Sequence, residues 1–288
     1  MEKDYLIKGF ICGGRARAYL LSSVDVLNEA IVRHDIYPSS ASCLGKIISM
    51  GLLMGANLKG SEALTIKYNA GGPVGNLIAD ADAQGNIRAY LDHPHVNFVN
   101  NNGGLNELMT LGNNGFLDVI KDLKLKEMFT SSIPCTGNIA NDFSAYFFQS
   151  EQTPSLCILT TKIDVDNKAI VNGGIIMQLM PGYTDKDIDY IENVANNISD
   201  VSSLFLNNNL DQIAKTLFSD FNFLEEREVR FHCECSKEKF TTALYTLSIK
   251  DLEDIKNTEE EIEMVCHYCG NKYIMTKDDI QTIINNKK

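Results

Sequence analysis

Apolar positions alternate with polar ones, or recur at helical spacing, along nearly the whole chain, and the pattern lays out its elements in order. Tyr5-Leu6-Ile7 and Ala18-Tyr19-Leu20-Leu21 flank Cys12-Gly13-Gly14-Arg15, which predicts strand, turn, strand. Val24, Leu27, Ile31 and Val32 fit a helix over residues 25–34, with Pro38 ending the connection after it. Ser39 or Ser40 is expected to cap a second helix reaching about residue 59, with Leu44, Ile47, Ile48, Leu52 and Leu58 on its apolar face. Gly45, Gly51 and Gly55 are poor helix formers, and with Ala56 they mark a face that lets a neighbour pack closely. Leu64, Ile66 and Tyr68 alternate as a strand, and residues 77–81 and 87–91 flank Gln84-Gly85-Asn86 as a hairpin. Residues 116–123 and 128–133 form a further strand pair. Asn138 caps a helix burying Ile139, Phe143, Tyr146 and Phe147, and residues 156–163 and 170–180 are two more strands. Antiparallel strands with interspersed helices make an α+β core domain over residues 1–182.

The composition then shifts. Residues 185–228 hold ten acidic and three basic side chains, with helical spacing at Ile188, Ile191, Val194 and Ile198 and again at Leu210, Ile213, Leu217 and Phe218. Short helices are marginal in water without tertiary support. Residues 183–229 are therefore expected to be a metastable helical linker, ordered only while docked. Residues 230–288, which include the acidic run 259–263 and a helix over 276–285, form a third unit too small to rely on a core of its own.

That unit carries the clearest chemical signal. Cys233 and Cys235 form C-x-C and, thirty residues later, Cys266 and Cys269 form C-x2-C. Two close pairs of thiols joined by a loop are what a tetrahedral zinc site needs, and Gly270 suits the turn after the second pair. Four thiolates close the site, whereas a hydrolytic zinc keeps a position open for water. His232 and His267 stand beside the cysteines as alternative ligands or as surface groups. Two structural disulfides are the other reading of the four cysteines. A disulfide within C-x-C closes a very small, strained ring and is better suited to regulation than to permanence. A closed site is either an inert staple or a sensor: its thiolates are what peroxide and hypochlorite attack, and a neighbouring thiol can resolve the sulfenic acid formed.

Composition narrows the classes. The chain has 288 residues, 44% of them hydrophobic, and a formal net charge of -12, with no basic face for nucleic acid. Its start, Met1-Glu2-Lys3-Asp4, lacks the pattern of a secretory signal, and its longest apolar run, residues 47–56, is too short to cross a membrane. A cytosolic, reducing location is expected, where eight cysteines serve metals or redox sensing. Cys12, Cys43, Cys135 and Cys157 stand singly among apolar residues and read as buried inert thiols; His34, His93 and His95 are not tied to them as bases. The glycine runs at 12–14, 71–75 and 173–174 lack a phosphate-loop pattern and read as turns.

Several longer motifs resemble those of the 33 kDa chaperonin, or heat-shock protein 33, family. They are Thr136-Gly137-Asn138-Ile139-Ala140-Asn141-Asp142-Phe143 with Tyr146 and residues 150–155; Gly173-Gly174 with residues 178–182; residues 15–20 and 52–60; and Phe231-His232-Cys233-Glu234-Cys235-Ser236 with Cys266-His267-Tyr268-Cys269. The resemblance implies a redox-regulated, ATP-independent holdase, not an enzyme. It implies a reduced form that is an inactive monomer with one zinc on Cys233, Cys235, Cys266 and Cys269. It implies that oxidation gives Cys233–Cys235 and Cys266–Cys269 disulfides, loss of zinc, an unfolded linker, dimerisation, and capture of unfolding client proteins. Lys237-Glu238-Lys239 stands where the family often has arginines. A thiol oxidoreductase using Cys266 and Cys269, and a constitutive zinc-stapled binding module, are the rival readings from other classes.

Overall fold

A computed structural model describes residues 4–258 and 261–287; Met1 to Lys3, at the start examined for a signal, and Glu259 and Glu260 of the acidic run lie outside the described residues. β1 (Tyr5–Ile11) and β2 (Ala16–Ser22) pair antiparallel throughout, joined by a turn at Cys12–Gly14. α1 (Val24–His34) buries Val26, Leu27, Ala30 and Ile31, but Val32 points outward. α2 (Pro38–Gly55) differs from expectation at both ends. Tyr37 is its N-cap and Pro38 opens it, a position where a missing N–H costs nothing, and it stops at Gly55. Ser39 and Ser40 do not cap it; their hydroxyls donate to the Val96 carbonyl at 3.2 and 2.8 Å.

β3 (Ala63–Gly71), β4 (Leu77–Asp82), β5 (Asn86–Leu91), α3 (Glu107–Leu111), β6 (Gly112–Asp122), β7 (Phe129–Cys135), α4 (Ile139–Ser150), β8 (Ser155–Ile163) and β9 (Ala169–Leu179) complete the pattern read from residues 60–180, with α3 an addition. Asn138 caps α4, its side chain accepting from the Asn141 N–H at 3.2 Å. Then come α5 (Asp185–Asn196), α6 (Val201–Asn207) and α7 (Leu210–Leu217). Residues beyond them turn from helix to strand as β10 (Asn222–Glu228) and the short β11 (Arg230–Phe231).

The chain divides into two compact units, Met1–His232 and Cys233–Lys288. The first is α+β, with two mainly antiparallel sheets ordered β10-β1-β2-β9-β8 and β11-β5-β4-β3-β6-β7. α2 packs against strands of both sheets, which explains why every residue of it except Pro38 and Lys46 is buried. The glycines permit that approach: a Cβ at Gly51 would stand 2.9 Å from Ile87 and one at Gly45 2.6 Å from Asn172.

The other face of the first sheet is covered by α5 and α7. Ile191, Val194, Leu210 and Ile213 pack on Ile7, Ala18, Leu20, Ile175 and Met177 in one apolar cluster. α6 has no buried residue. Polar contacts latch the same stretch to the β1–β2 turn. Arg15 donates from Nε and Nη2 to the two Asp187 oxygens at 2.8 Å each, and Gly13 N–H donates to Asp220 at 2.8 Å. The guanidinium holds the Asp187 carboxyl well below its ordinary value, 3.8, helped by hydrogen bonds from Thr184. A carboxyl depressed by folding stabilises above its unfolded pKa and loses that contribution as pH falls toward the folded one. Hydrogen-exchange protection factors in α5 should therefore fall as pH is lowered from about 5 to 3, and Asp187→Asn should lower them already at neutral pH. Protection in α5 that ignores both changes would remove this pair from the docking.

The second unit holds α8 (Lys237–Leu244), α9 (Ile249–Thr258), β12 (Glu261–Val265), β13 (Lys272–Thr276) and α10 (Lys277–Lys287), the last matching the helix expected over 276–285. β12 and β13 form an antiparallel hairpin. Among the described residues the unit's core holds Leu244, Leu252, Met275, Ile280, Ile283 and Ile284, with Leu247, Ile249, Ile262 and Met264 partly buried against them, a small core.

Candidate metal centre

Cys266 and Cys269 lie in the turn of the β12–β13 hairpin. The turn is closed by Cys266 N–H donating to the Asn271 carbonyl at 2.9 Å and Gly270 N–H donating to the Cys266 carbonyl at 2.8 Å. Gly270 has φ 71°, the left-handed conformation for which a glycine was expected there. Cys233 and Cys235 lie in the extended stretch before α8, whose N-cap Ser236 accepts from Lys239 N–H at 3.3 Å. Lys237 reaches Asp279 at the start of α10 at 2.7 Å, and this ion pair brings the Asp279 carboxyl down to about 2.

These elements bring all four Sγ atoms within 4.8 Å of one another, with 3.7 Å between Cys233 and Cys266 and 3.3 Å between Cys235 and Cys269. A tetrahedral ion with sulfur ligands at roughly 2.3 Å sets its sulfurs roughly 3.8 Å apart, so the cluster fits one ion. It is also the only group of three or more His, Cys, Asp or Glu side chains with metal-site geometry among the described residues. Neither His232 nor His267 belongs to it.

The thiols are unequal. Burial pushes Cys235 up, but hydrogen bonds from Tyr273 and the three neighbouring thiols outweigh it and bring it down to about 7. Burial pushes Cys266 and Cys269 up. Tyr273 was not foreseen as part of the site. Its hydroxyl lies 3.2 Å from Cys235 Sγ and 2.9 Å from the Cys235 carbonyl oxygen, while its ring packs on Phe240 with centroids 5.2 Å apart. The run Tyr273-Ile274-Met275, bounded by Lys272 and Thr276, is the short apolar signal for β13 that would have found it. A thiol oxidoreductase uses an accessible thiolate, whereas Cys266 and Cys269 are buried.

The four single cysteines are all buried. Burial pushes Cys12 and Cys135 to about 11 and Cys157 to about 12, and it raises Cys43 well above the ordinary thiol value. Their burial is as expected. His95 lies in a loop 3.0 Å from Asp35 and packs on Tyr37. Among the described residues no helix is long and apolar enough to cross a membrane.

Fold and site together define a two-unit protein: an α+β body and a small unit built around four thiols that could hold one metal ion. The chain belongs to the Hsp33 family, whose model, described as Hsp33 protein, matches residues 4–276. It is 38% identical over 282 residues to a 33 kDa chaperonin of Bacillus subtilis, covering 96% of this chain and 97% of that one. A 33 kDa chaperonin of Staphylococcus epidermidis is 34% identical over the full length of both chains. The crystal structure of a 33 kDa chaperonin from Thermotoga maritima, described as a heat shock protein 33 homolog, superposes with a TM-score of 0.92 at 26% identity, covering 99% of each chain. The resemblance read from the sequence motifs is thus confirmed, and the relatives are named as chaperones rather than enzymes.

Proposed function

We propose that this protein is a redox-regulated, ATP-independent holdase chaperone of the cytosol, switched by one zinc ion on Cys233, Cys235, Cys266 and Cys269. The observation that carries this reading is the convergence of all four sulfurs in a unit whose apolar core is small. When bound, zinc keeps the four sulfurs as thiolates at neutral pH and joins the C-x-C stretch to the hairpin turn.

Those thiolates are the oxidisable form. One attacks peroxide, giving a sulfenic acid and hydroxide; the neighbouring thiol then displaces the sulfenic oxygen as water and closes a disulfide. Two such rounds, each consuming one peroxide, give Cys233–Cys235 and Cys266–Cys269. Disulfide sulfurs no longer ligate the ion, and so small an apolar core does not hold the unit alone. Residues 183–229 are continuous with it and act as the linker. Once they undock, α5 and α7 leave the face formed by Ile7, Ala18, Leu20, Ile175 and Met177. The oxidised chain dimerises and holds unfolding client proteins there; the reduced chain is a monomer. Nucleic acid and membrane are not partners.

Light scattering of a heat-aggregating client tests the reading. Chain pre-treated with peroxide at mild heat should suppress aggregation, and reduced, zinc-loaded chain should not. Equal suppression in both states would favour a constitutive binding module with zinc as a staple.

A further inference from the structure

The stretch that undocks in the functional reading above also guards a sheet edge. β10 is the outermost strand of the first sheet and lies antiparallel on β1, from Tyr5 opposite Glu228 to Phe10 opposite Asn222, with a bulge after Lys8. None of its seven residues is buried, and even Phe223 and Leu224 are 51% and 45% exposed. Side-chain packing therefore contributes little to holding it. What remains is the backbone ladder and a few polar contacts: Lys8 Nζ lies 2.8 Å from Glu225, and Arg227 donates to the Ala83 carbonyl at 2.6 Å. Glu225, Glu226, Arg227 and Glu228 give this edge the charge that discourages pairing with other chains.

β1 has the opposite character. Leu6, Ile7 and Ile11 are buried and β2 fixes its far side, so β1 keeps its place without β10. Its sequence, Tyr5-Leu6-Ile7-Lys8-Gly9-Phe10-Ile11, is rich in strand-forming apolar residues, with one charge and no proline, which is the signature of a segment that recruits strands.

We propose that β10 is an autoinhibitory edge strand, and that once it leaves, the edge of β1 takes an extended segment of an unfolding polypeptide by backbone pairing. This proposal rests on the redox-switch reading and adds how the client is recognised. A strand edge offers backbone donors and acceptors rather than shaped pockets, so it is tolerant of sequence. It discriminates by state: a folded protein has its backbone groups already paired, while an unfolding one has them free. Lys8, released from Glu225, disfavours a lysine or arginine directly opposite it. β11 also caps an edge, that of β5, but pairs over only Arg230 and Phe231, too short a ladder to offer the same grip.

Hydrogen exchange on the full chain tests the proposal in three states: reduced, oxidised, and oxidised with reduced, carboxymethylated lactalbumin as a permanently unfolded client. The β1 amides facing β10 should be protected in the first, open in the second and protected again in the third. An unfolded peptide N-methylated on alternate residues should bind the oxidised chain about tenfold more weakly than its unmethylated parent, as expected for losing one or two net backbone hydrogen bonds. β1 amides that stay protected on oxidation, or stay open with client bound, would overturn the edge. So would reprotection without client that grows with chain concentration, which assigns the edge to a second copy, and so would equal affinity for the two peptides. All of these leave the switch standing if oxidised chain still holds the client. An oxidised chain that holds no client would sink the switch itself, and this proposal with it.

Discussion

Cys233→Ser is expected to abolish stable zinc binding and to open the Cys233–Lys288 unit in the absence of any oxidant. The described residues of the unit form only a small apolar core, whereas structural zinc supplies roughly 10–16 kcal/mol of folding free energy in finger peptides at pH 7. Net stabilities of whole domains are only about 5–15 kcal/mol. A serine hydroxyl is a poor replacement for a thiolate, and the three remaining sulfurs leave the closed site incomplete. Zinc stoichiometry after desalting should fall well below one per chain, and limited proteolysis should cut between residues 233 and 288 while the body stays intact. A variant that keeps stoichiometric zinc and native protease resistance would show that the ligand set is wrong.

The second large effect is expected in the body, at Asp142. This carboxylate is buried, and it accepts from the Tyr68 hydroxyl at 2.7 Å, from the Thr136 hydroxyl at 2.8 Å and from Thr136 N–H at 3.0 Å. The Tyr68 oxygen in turn accepts from Gly137 N–H at 3.1 Å, and Gly137 has φ 85°. The network ties β3 to the start of α4 across 74 positions of sequence. Asp142→Ala orphans the buried Tyr68 hydroxyl and leaves the exposed Thr136 donors to water, so the body should lose about 1–3 kcal/mol. Urea unfolding of the reduced chain followed by circular dichroism reads this as a lower midpoint at unchanged slope. A loss under about 1 kcal/mol would mean that the network is not what holds this motif.

The same network shows how far the sequence could be read. Asn138 as a helix cap and the buried face of Phe143 and Tyr146 are local signals, and both hold. That Asp142 turns inward to Tyr68 is a long-range fact with no local mark. The four cysteines were legible because metal geometry requires close pairs, and spacing alone exposes them. Tyr273 beside Cys235 depends on the β12–β13 hairpin, whose strands are only five residues each, too short for periodicity to mark them. β10 escaped because it buries nothing: a strand with no inward side shows no alternation of apolar and polar residues. α2 hid its start for a similar reason. A helix buried on nearly all sides has no polar face to mark its bounds, and Pro38 reads as a breaker unless its place at the first turn is known.

The account stands on one coupling, between the four thiolates and client capture. It is tested most directly by titrating reduced, zinc-loaded chain with peroxide while released zinc and suppression of client aggregation are measured in the same samples. The expected result is that the two rise together. Full suppression before any zinc is released, or complete zinc release with no suppression, would contradict it.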